Sequence, residues 1–246
     1  MKSEIIKQIK KIEKEERVKV LFLMESGSRA WRWESEDSDY DIRGVYIQDY
    51  LVVNKPREQI DKKIKDLDIT LWDLRKFLNL MMNSNPTVWE WLSSEIIYSD
   101  NRLRNELKRI FKKDFSPYKL QKHYISMARQ NFHKYISEMG DLANLKRYVY
   151  VLRSVACVLW IEKYNTPPPK DYRKVINLLP KDIRNFFEKI VKDKKKSESL
   201  MGPRNKKIEG YITSFFDKNF DKDHSEFDLI EITKLFKRAL NQKWKK

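Results

Sequence analysis

Asp39 and Asp41 stand two residues apart in Asp39-Tyr-Asp-Ile-Arg43, and a third acid, Asp68, follows in Lys65-Asp-Leu-Asp-Ile-Thr-Leu71. Ten residues separate Asp39 from a Gly27-Ser28 pair, which stands just past an apolar run, Val18-Lys-Val-Leu-Phe-Leu-Met24. Alternation at period two puts Asp39, Asp41 and Arg43 on one face of an extended segment, with Tyr40 and Ile42 on the other. A small Gly-Ser turn at a strand end exposes backbone N–H groups, and such a turn accepts phosphate oxygens. Strand, Gly-Ser turn, then Asp-x-Asp is the layout of a site that holds a nucleoside triphosphate and a divalent metal. Two carboxylates about 4 Å apart repel by about 4 kcal/mol at an effective dielectric near 20. Three aimed at one point need compensating positive charge. Two Mg²⁺ ions, or Mn²⁺ in their place, would supply it. One would orient a triphosphate and the other would lower the pKa of an attacking hydroxyl. Asp68 would hold the second ion and accept the nucleophile's proton, and Arg43 would balance the cluster or touch phosphate.

The elements that must position these groups follow from periodicity. Ile5, Ile6, Ile9 and Ile12 form the stripe of an amphipathic helix over 3–16. Val18–Met24 reads as a buried strand, Asp39–Tyr46 as a second, Leu51–Val53 as a short extended piece and Lys65–Leu71 as a third strand. A helix runs from Leu71 to Met82. Asn83-Ser-Asn-Pro86 stops it, and Pro86 opens the next helix, Thr87–Leu92. From Ser116-Pro117 onward the pattern is helical: Tyr118–Gly140, Leu142–Tyr164, Lys170–Lys192, Ile208–Asn219 and Asp228–Trp244. Thr166-Pro-Pro-Pro169 breaks the run, and Lys192–Pro203 reads as a polar surface loop. The expected fold is α+β, with a small mixed sheet and flanking helices over 1–115 followed by an all-α domain over 116–246.

Composition narrows the class. The chain has 246 residues and 41 % hydrophobic content, ample for a core. One cysteine, Cys157, excludes a disulfide framework and a thiolate metal site. No stretch reaches the roughly 18 apolar residues of a membrane span, and the charged N-terminus lacks a signal-length apolar core, so a soluble cytoplasmic protein is expected. The net charge of +16 favours a polyanionic partner, nucleic acid first.

Longer motifs carry a resemblance. The ordered set looks like the signature of the DNA polymerase β-type nucleotidyltransferases. Glu25-Ser-Gly-Ser-Arg-Ala-Trp31, Asp37-Ser-Asp-Tyr-Asp-Ile-Arg43, Trp72-Asp-Leu-Arg-Lys-Phe77 and Ser84-Asn-Pro-Thr-Val-Trp-Glu-Trp-Leu92 resemble the RlaP family of RNA-ligase-associated nucleotidyltransferases. His123-Tyr-Ile-Ser-Met-Ala128, Lys146-Arg-Tyr-Val-Tyr-Val-Leu-Arg153 and Trp160-Ile161 extend it. The resemblance implies a polymerase β-like domain and NMP transfer from an NTP to an RNA end in RNA repair. It implies Asp39, Asp41 and Asp68 as catalytic metal ligands and Gly27-Ser28 on the phosphates. Arg32 stands where the family pattern has Gly, and a bulky cation there replaces a residue that turns freely.

Other residues are weighed against plainer roles. Arg153, in an otherwise apolar helix, needs an anion: a structural carboxylate or the triphosphate. Lys146, seven residues earlier, shares its side of the helix. Arg29, beside the phosphate turn, has a better claim on phosphate than Glu25, which reads as a local pair or cap. Trp89 and Trp91 read as core. Two alternatives stand beside RNA-end transfer: the same chemistry on a protein target, as in toxin–antitoxin systems, and an inactive nucleotide- or RNA-binding module. Charge favours RNA over protein, and the intact acids speak against inactivity.

Overall fold

The computed structural model describes residues 1–34, 38–50, 56–100, 102–194 and 200–243. The expected extended piece Leu51–Val53, most of the acidic turn at 35–38, part of the lysine run at 192–196 and Trp244 lie outside them. Two compact units are present. The first takes residues 1–30, 39–115 and 225–246, and the second takes 31–38 and 116–224. A single cut at 115/116 therefore leaves out two exchanges, the 31–38 segment and the C-terminal helix.

The first unit opens with helix α1 (Lys2–Glu16) and strand β1 (Val18–Glu25), then a short helix α2 (Gly27–Trp31). Strands β2 (Tyr40–Gln48), β3 (Gln59–Ile64) and β4 (Leu67–Asp73) follow. Next come helices α3 (Leu74–Met82) and α4 (Pro86–Leu92), strand β5 (Ile97–Ser99) and helix α5 (Arg102–Asp114). The five strands form one sheet in the order β3-β4-β2-β1-β5. β2 and β4 run parallel and every other pairing is antiparallel. The isoleucine stripe of α1 packs with Leu23, Ile42, Ile69 and Leu71 in one buried cluster. Phe22, the neighbour of Leu23, must leave the strand on the opposite face. Its ring meets Phe77 of α3 at 5.8 Å between centroids. Trp91 stacks on Trp72 at 4.0 Å and Trp89 on Phe111 at 5.4 Å, so both tryptophans are core.

Asp73 ends β4 and caps α3, accepting the Arg75 amide at 2.9 Å, which fixes the strand-to-helix corner. Asn85 does the same for α4, with Pro86 in its first turn. The last helix, α11 (Leu229–Lys243), returns to this unit through long-range pairs. Glu231 accepts from Arg109, Arg238 donates to Glu106 at 2.5 Å, and Phe227 meets Phe111. None of these is visible in local sequence.

The second unit is mostly helical but not all-α. Helix α6 (Pro117–Phe132) runs into a π-helical turn at His133–Ser137. The expected helix from Leu142 begins only at Leu145, because Leu142–Asn144 is strand β6. It pairs antiparallel with β7 (Met201–Pro203), inside the segment read as a loop. Between them lie α7 (Leu145–Tyr164), α8 (Tyr172–Ile176) and α9 (Lys181–Lys194). The last two replace one expected helix, which Pro180 interrupts by removing a donor and restricting Leu179. Helix α10 (Lys206–Thr213) follows β7. Trp33 explains why 31–38 belongs here. It is fully buried, with its ring 5.0 Å from Trp31, 5.3 Å from Tyr172 and 5.8 Å from both Tyr150 and Phe187.

Candidate active site

The parallel pairing of β2 with β4 sets Asp41 directly opposite Asp68. Residues paired this way put their side chains on the same face of the sheet. Arg43, two residues along the same face, spans both. Its Nη2 donates to Asp41 Oδ1 at 2.8 Å and its Nη1 to Asp68 Oδ1 at 3.3 Å and to the Asp68 carbonyl at 2.7 Å. One guanidinium thus supplies the charge between two carboxylates. The Asp68 side chain is 45 % exposed and that of Asp41 27 %, so Asp68 faces solvent more.

Gly27 closes the other side of Asp41. The Ser26 amide donates to the Asp41 carbonyl at 2.8 Å and ties the end of β1 to the start of β2. Gly27 then turns with φ +60°, the left-handed region that favours glycine. A Cβ placed there would lie 1.8 Å from Asp41 Oδ2. The carboxylate occupies the room that any larger side chain would need. Ser28 follows, buried.

Burial pushes the Asp41 carboxyl above its ordinary value. Arg43 opposes the shift, and the charges of Asp68 and Asp39 reinforce it. Asp39 takes a cation of its own, Lys63 Nζ at 2.5 Å from Oδ2, and both side chains are more than half exposed. Lys63 lies on β3 opposite Asp68. That strand was not read from the sequence, so Lys63 was missed. Glu25 gains importance over its reading as a cap. It is fully buried, accepts the Asp41 amide at 2.6 Å and accepts the Tyr98 hydroxyl from β5. Its place directly before the Gly-Ser turn was the available signal.

The remaining expected residues fall in two places. Arg29, in the first unit, lays its guanidinium 4.0 Å from the centre of the Tyr40 ring. Lys146 and Arg153 belong to α7 of the second unit. Arg153 is buried, with its guanidinium 4.4 Å from the Trp31 ring centre, an aromatic partner that the sequence reading did not weigh. The first unit therefore brings together Gly27, Asp41, Arg43 and Asp68, with Asp39 and Lys63 at the rim.

As donors, Asp41 and Asp68 suit a hard divalent ion such as Mg²⁺ or Mn²⁺, which takes oxygen ligands. Among the described residues, no three His, Cys, Asp or Glu side chains form a group that could hold a metal ion in this arrangement. The acids here meet Arg43 and Lys63 instead. No described helix is long and apolar enough to cross a membrane.

The sequence matches the family described as RlaP, RNA repair pathway DNA polymerase beta family, over residues 1–241. A protein called YcgL from Bacillus subtilis (strain 168), described as uncharacterized, is 39 % identical over 207 residues, 81 % of this chain and 79 % of its own. Among solved structures, a nucleotidyltransferase-like protein from Exiguobacterium sibiricum aligns with 90 % of this chain and 70 % of its own, at 14 % identity. Its TM-score of 0.32 is too low to support an argument.

Proposed function

The chain belongs to the RlaP family, and from that premise we propose that it is a metal-dependent nucleotidyltransferase that moves an NMP from an NTP to an RNA end, the attacking hydroxyl displacing pyrophosphate from the α-phosphate. The observation that carries the reading is Asp41 set opposite Asp68, against a glycine with no room for a side chain and under one shared arginine.

Asp41 and Asp68 would hold the metal, and Asp39 would join them on leaving Lys63. Bound Mg²⁺ or Mn²⁺ would supply positive charge for a triphosphate and a lowered pKa for an attacking hydroxyl. Gly27 and Ser28 would offer backbone donors to the phosphates, and Arg29 would add a cation beside them. Asp68, more exposed than Asp41, would take the proton of the incoming hydroxyl. Arg43, displaced from the carboxylates or still touching one of them, would face phosphate. Lys146 and Arg153, on α7, would be further nucleotide-binding residues.

The acceptor is assigned from the family's repair context and from the net charge of +16. Lys206 and Lys207 pair with Glu209 at 3.7 Å and Asp182 at 2.7 Å, yet their side chains stay 79 % and 77 % exposed and would be open to an RNA backbone. Incubation with each NTP, radiolabelled at the α-phosphate, with Mg²⁺ or Mn²⁺ and a mixture of RNA and protein acceptors tests the reading. Label should appear on RNA. Label on protein would move the acceptor to a polypeptide, and no transfer from any NTP would sink the activity. RNA binding should weaken with salt, at about −0.7 in log affinity per log salt for each phosphate contact. Reversing the charge of Lys206 and Lys207 should flatten that slope by about one to two units.

A further inference from the structure

Glu25 is a carboxylate inside the sheet that the mechanism above does not use. It ends β1, and its relative exposure is 0 %. A buried charge is costly unless it is hydrogen-bonded, so its partners show what it is held for. One oxygen, Oε1, accepts the backbone amide of Asp41 at 2.6 Å. The other, Oε2, accepts the hydroxyl of Tyr98. Its backbone is held as well: the Glu25 amide donates to the Ile96 carbonyl at 2.9 Å and the Ser94 hydroxyl donates to the Glu25 carbonyl at 2.6 Å. β5 and the turn before it are thus fastened to the end of β1 on either side of this one residue.

The amide of Asp41 is an uncommon target. Asp41 is the second residue of β2, at the end of the strand where the β1 partner gives way to the turn. The Asp41 carbonyl is already used by Ser26. With Glu25 on the amide and Ser26 on the carbonyl, both backbone polar groups of Asp41 are bound to the two residues just before Gly27. The side chain has little choice of place: one oxygen lies against Gly27 and the other on Arg43.

We infer that Glu25, braced by Tyr98, is a positioning residue that sets the Asp41 carboxylate for metal binding. The inference rests on the reading of Asp41 as a metal ligand. Glu25 is bonded to the Asp41 amide and the Tyr98 hydroxyl and would not itself contact nucleotide or metal. It acts through the Asp41 backbone, and Tyr98 fixes the rotamer that lets it do so. The requirement is an acceptor at Oε1 rather than a negative charge. Glutamine meets it: its carbonyl oxygen can accept the Asp41 amide, and its NH₂ can donate to a Tyr98 hydroxyl turned to accept.

The test compares Glu25→Gln, Glu25→Leu and Tyr98→Phe with wild type, with Asp41→Asn as the control. Mn²⁺ affinity is measured on nucleotide-free protein by electron paramagnetic resonance of the free ion. Exchange of the Asp41 amide and the melting temperature are followed alongside. Lost outer partners of metal ligands typically cost about 10–100-fold in affinity. Glu25→Leu should therefore lose about tenfold or more, with faster Asp41 amide exchange. Tyr98→Phe should show a smaller loss in the same direction, and Glu25→Gln should stay within about twofold of wild type. Unchanged Mn²⁺ affinity in a folded Glu25→Leu protein would overturn the inference. So would Glu25→Gln binding as poorly as Glu25→Leu, since charge would then be what matters. If Glu25→Leu does not fold, Tyr98→Phe decides. Weaker Mn²⁺ binding at an unshifted melting temperature supports positioning, and unchanged binding refutes it. If Asp41→Asn binds Mn²⁺ as wild type does, the metal-ligand reading itself falls and this inference falls with it. If only Asp41→Asn loses the ion, the inference alone fails.

Discussion

Glu209 in the second unit and Asp41 in the first each meet an arginine, and they respond in opposite ways. Arg204 reaches Glu209 with two hydrogen bonds, Nε at 2.9 Å and Nη2 at 2.7 Å, and the Tyr148 hydroxyl adds a third at 2.6 Å. Those bonds from Arg204 hold the Glu209 carboxyl below its ordinary value against the cost of burial, with Tyr148 helping. Asp41 has one bond from an arginine that it shares with Asp68. Burial raises its carboxyl, Arg43 only partly offsets that, and Asp68 and Asp39 push the same way as burial. One acid is satisfied and the other is left short of positive charge. Structural ion pairs tend toward the first condition. Sites that must take up a cation tend toward the second, since a perturbed acid beside like charges is a mark of function. Arg204 also donates to the Ser137 and Gly140 carbonyls, so its pair pins the β6–β7 ribbon to the π-helical turn. Among the described residues, the bonds of Arg43 stay within β2 and β4.

The largest expected effect tests the acid left short. Asp39→Asn with Asp41→Asn should reduce NMP transfer by at least about 10²–10³-fold, the scale for losing an electrostatic stabiliser of the reaction. In metal-free buffer the double variant should melt no lower than wild type, because two mutually repelling charges are gone. A collapse of its melting transition would place Asp41 with Glu209, as a structural acid, and the contrast would break.

Glu209 should behave in the reverse sense. Glu209→Ala strands Arg204 and Tyr148 in partly buried surroundings and should destabilise by about 2–3 kcal/mol. Transfer by the folded fraction should be unchanged. The pH dependence follows from the depressed carboxyl. Its contribution is fully present above the unfolded carboxylate value and is lost as pH falls through the lower folded one. Wild type should lose stability on the acid side of about pH 4.5, and Glu209→Gln should flatten that limb in urea titrations at stepped pH. An acid limb of equal steepness in both proteins would show that Glu209 is not the group lost there.

The contrast was only half legible in the sequence. The strands that carry Asp41 and Asp68 announced themselves because apolar and polar residues alternate there, and because Gly27-Ser28 marks the corner. Register did not. Nothing local says that Asp41 sits opposite Asp68, and that pairing is what lets one arginine span both. Strand β3 was hidden because its alternate positions, Gln59, Asp61 and Lys63, are polar and it lies at the sheet edge. Lys63 was therefore not seen as the partner of Asp39. Strands β5, β6 and β7 have three residues each, too few to show a period. The Glu25–Asp41 and Arg204–Glu209–Tyr148 bonds span chain separations of 16 and 61 residues at their longest, so only the fold reveals them. The resemblance supplied what periodicity could not, the acids' order and their family.

A smaller effect concerns the backbone and sharpens the same contrast. Gly27 and Arg32 both have positive φ, +60° and 67°, five residues apart. At the first, the chain uses the residue that suits that conformation. At the second, it places arginine where the resemblance leads to the expectation of Gly, and the positive φ is one that Gly suits. An L-residue in this region is strained by about 1 kcal/mol, offset in part because Gly loses more freedom on folding. Arg32→Gly should therefore stabilise the protein modestly, by about 0.5–1 kcal/mol, read as a higher melting temperature. The Arg32 side chain is exposed; hydrogen bonds from Arg173 hold the Asp171 carboxyl below its ordinary value, and the Arg32 charge adds a smaller push the same way. Strain without return is uncommon away from functional positions. If Arg32 earns its place on phosphate or RNA, the stabilised variant should bind RNA more weakly, with a salt slope flatter by about 0.7, one contact's worth. If Arg32→Gly is more stable and binds RNA with an unchanged slope, the arginine is only tolerated. It would then stand with Arg17, Lys65, Ser84 and Asn165, other non-glycine residues of positive φ that the chain tolerates.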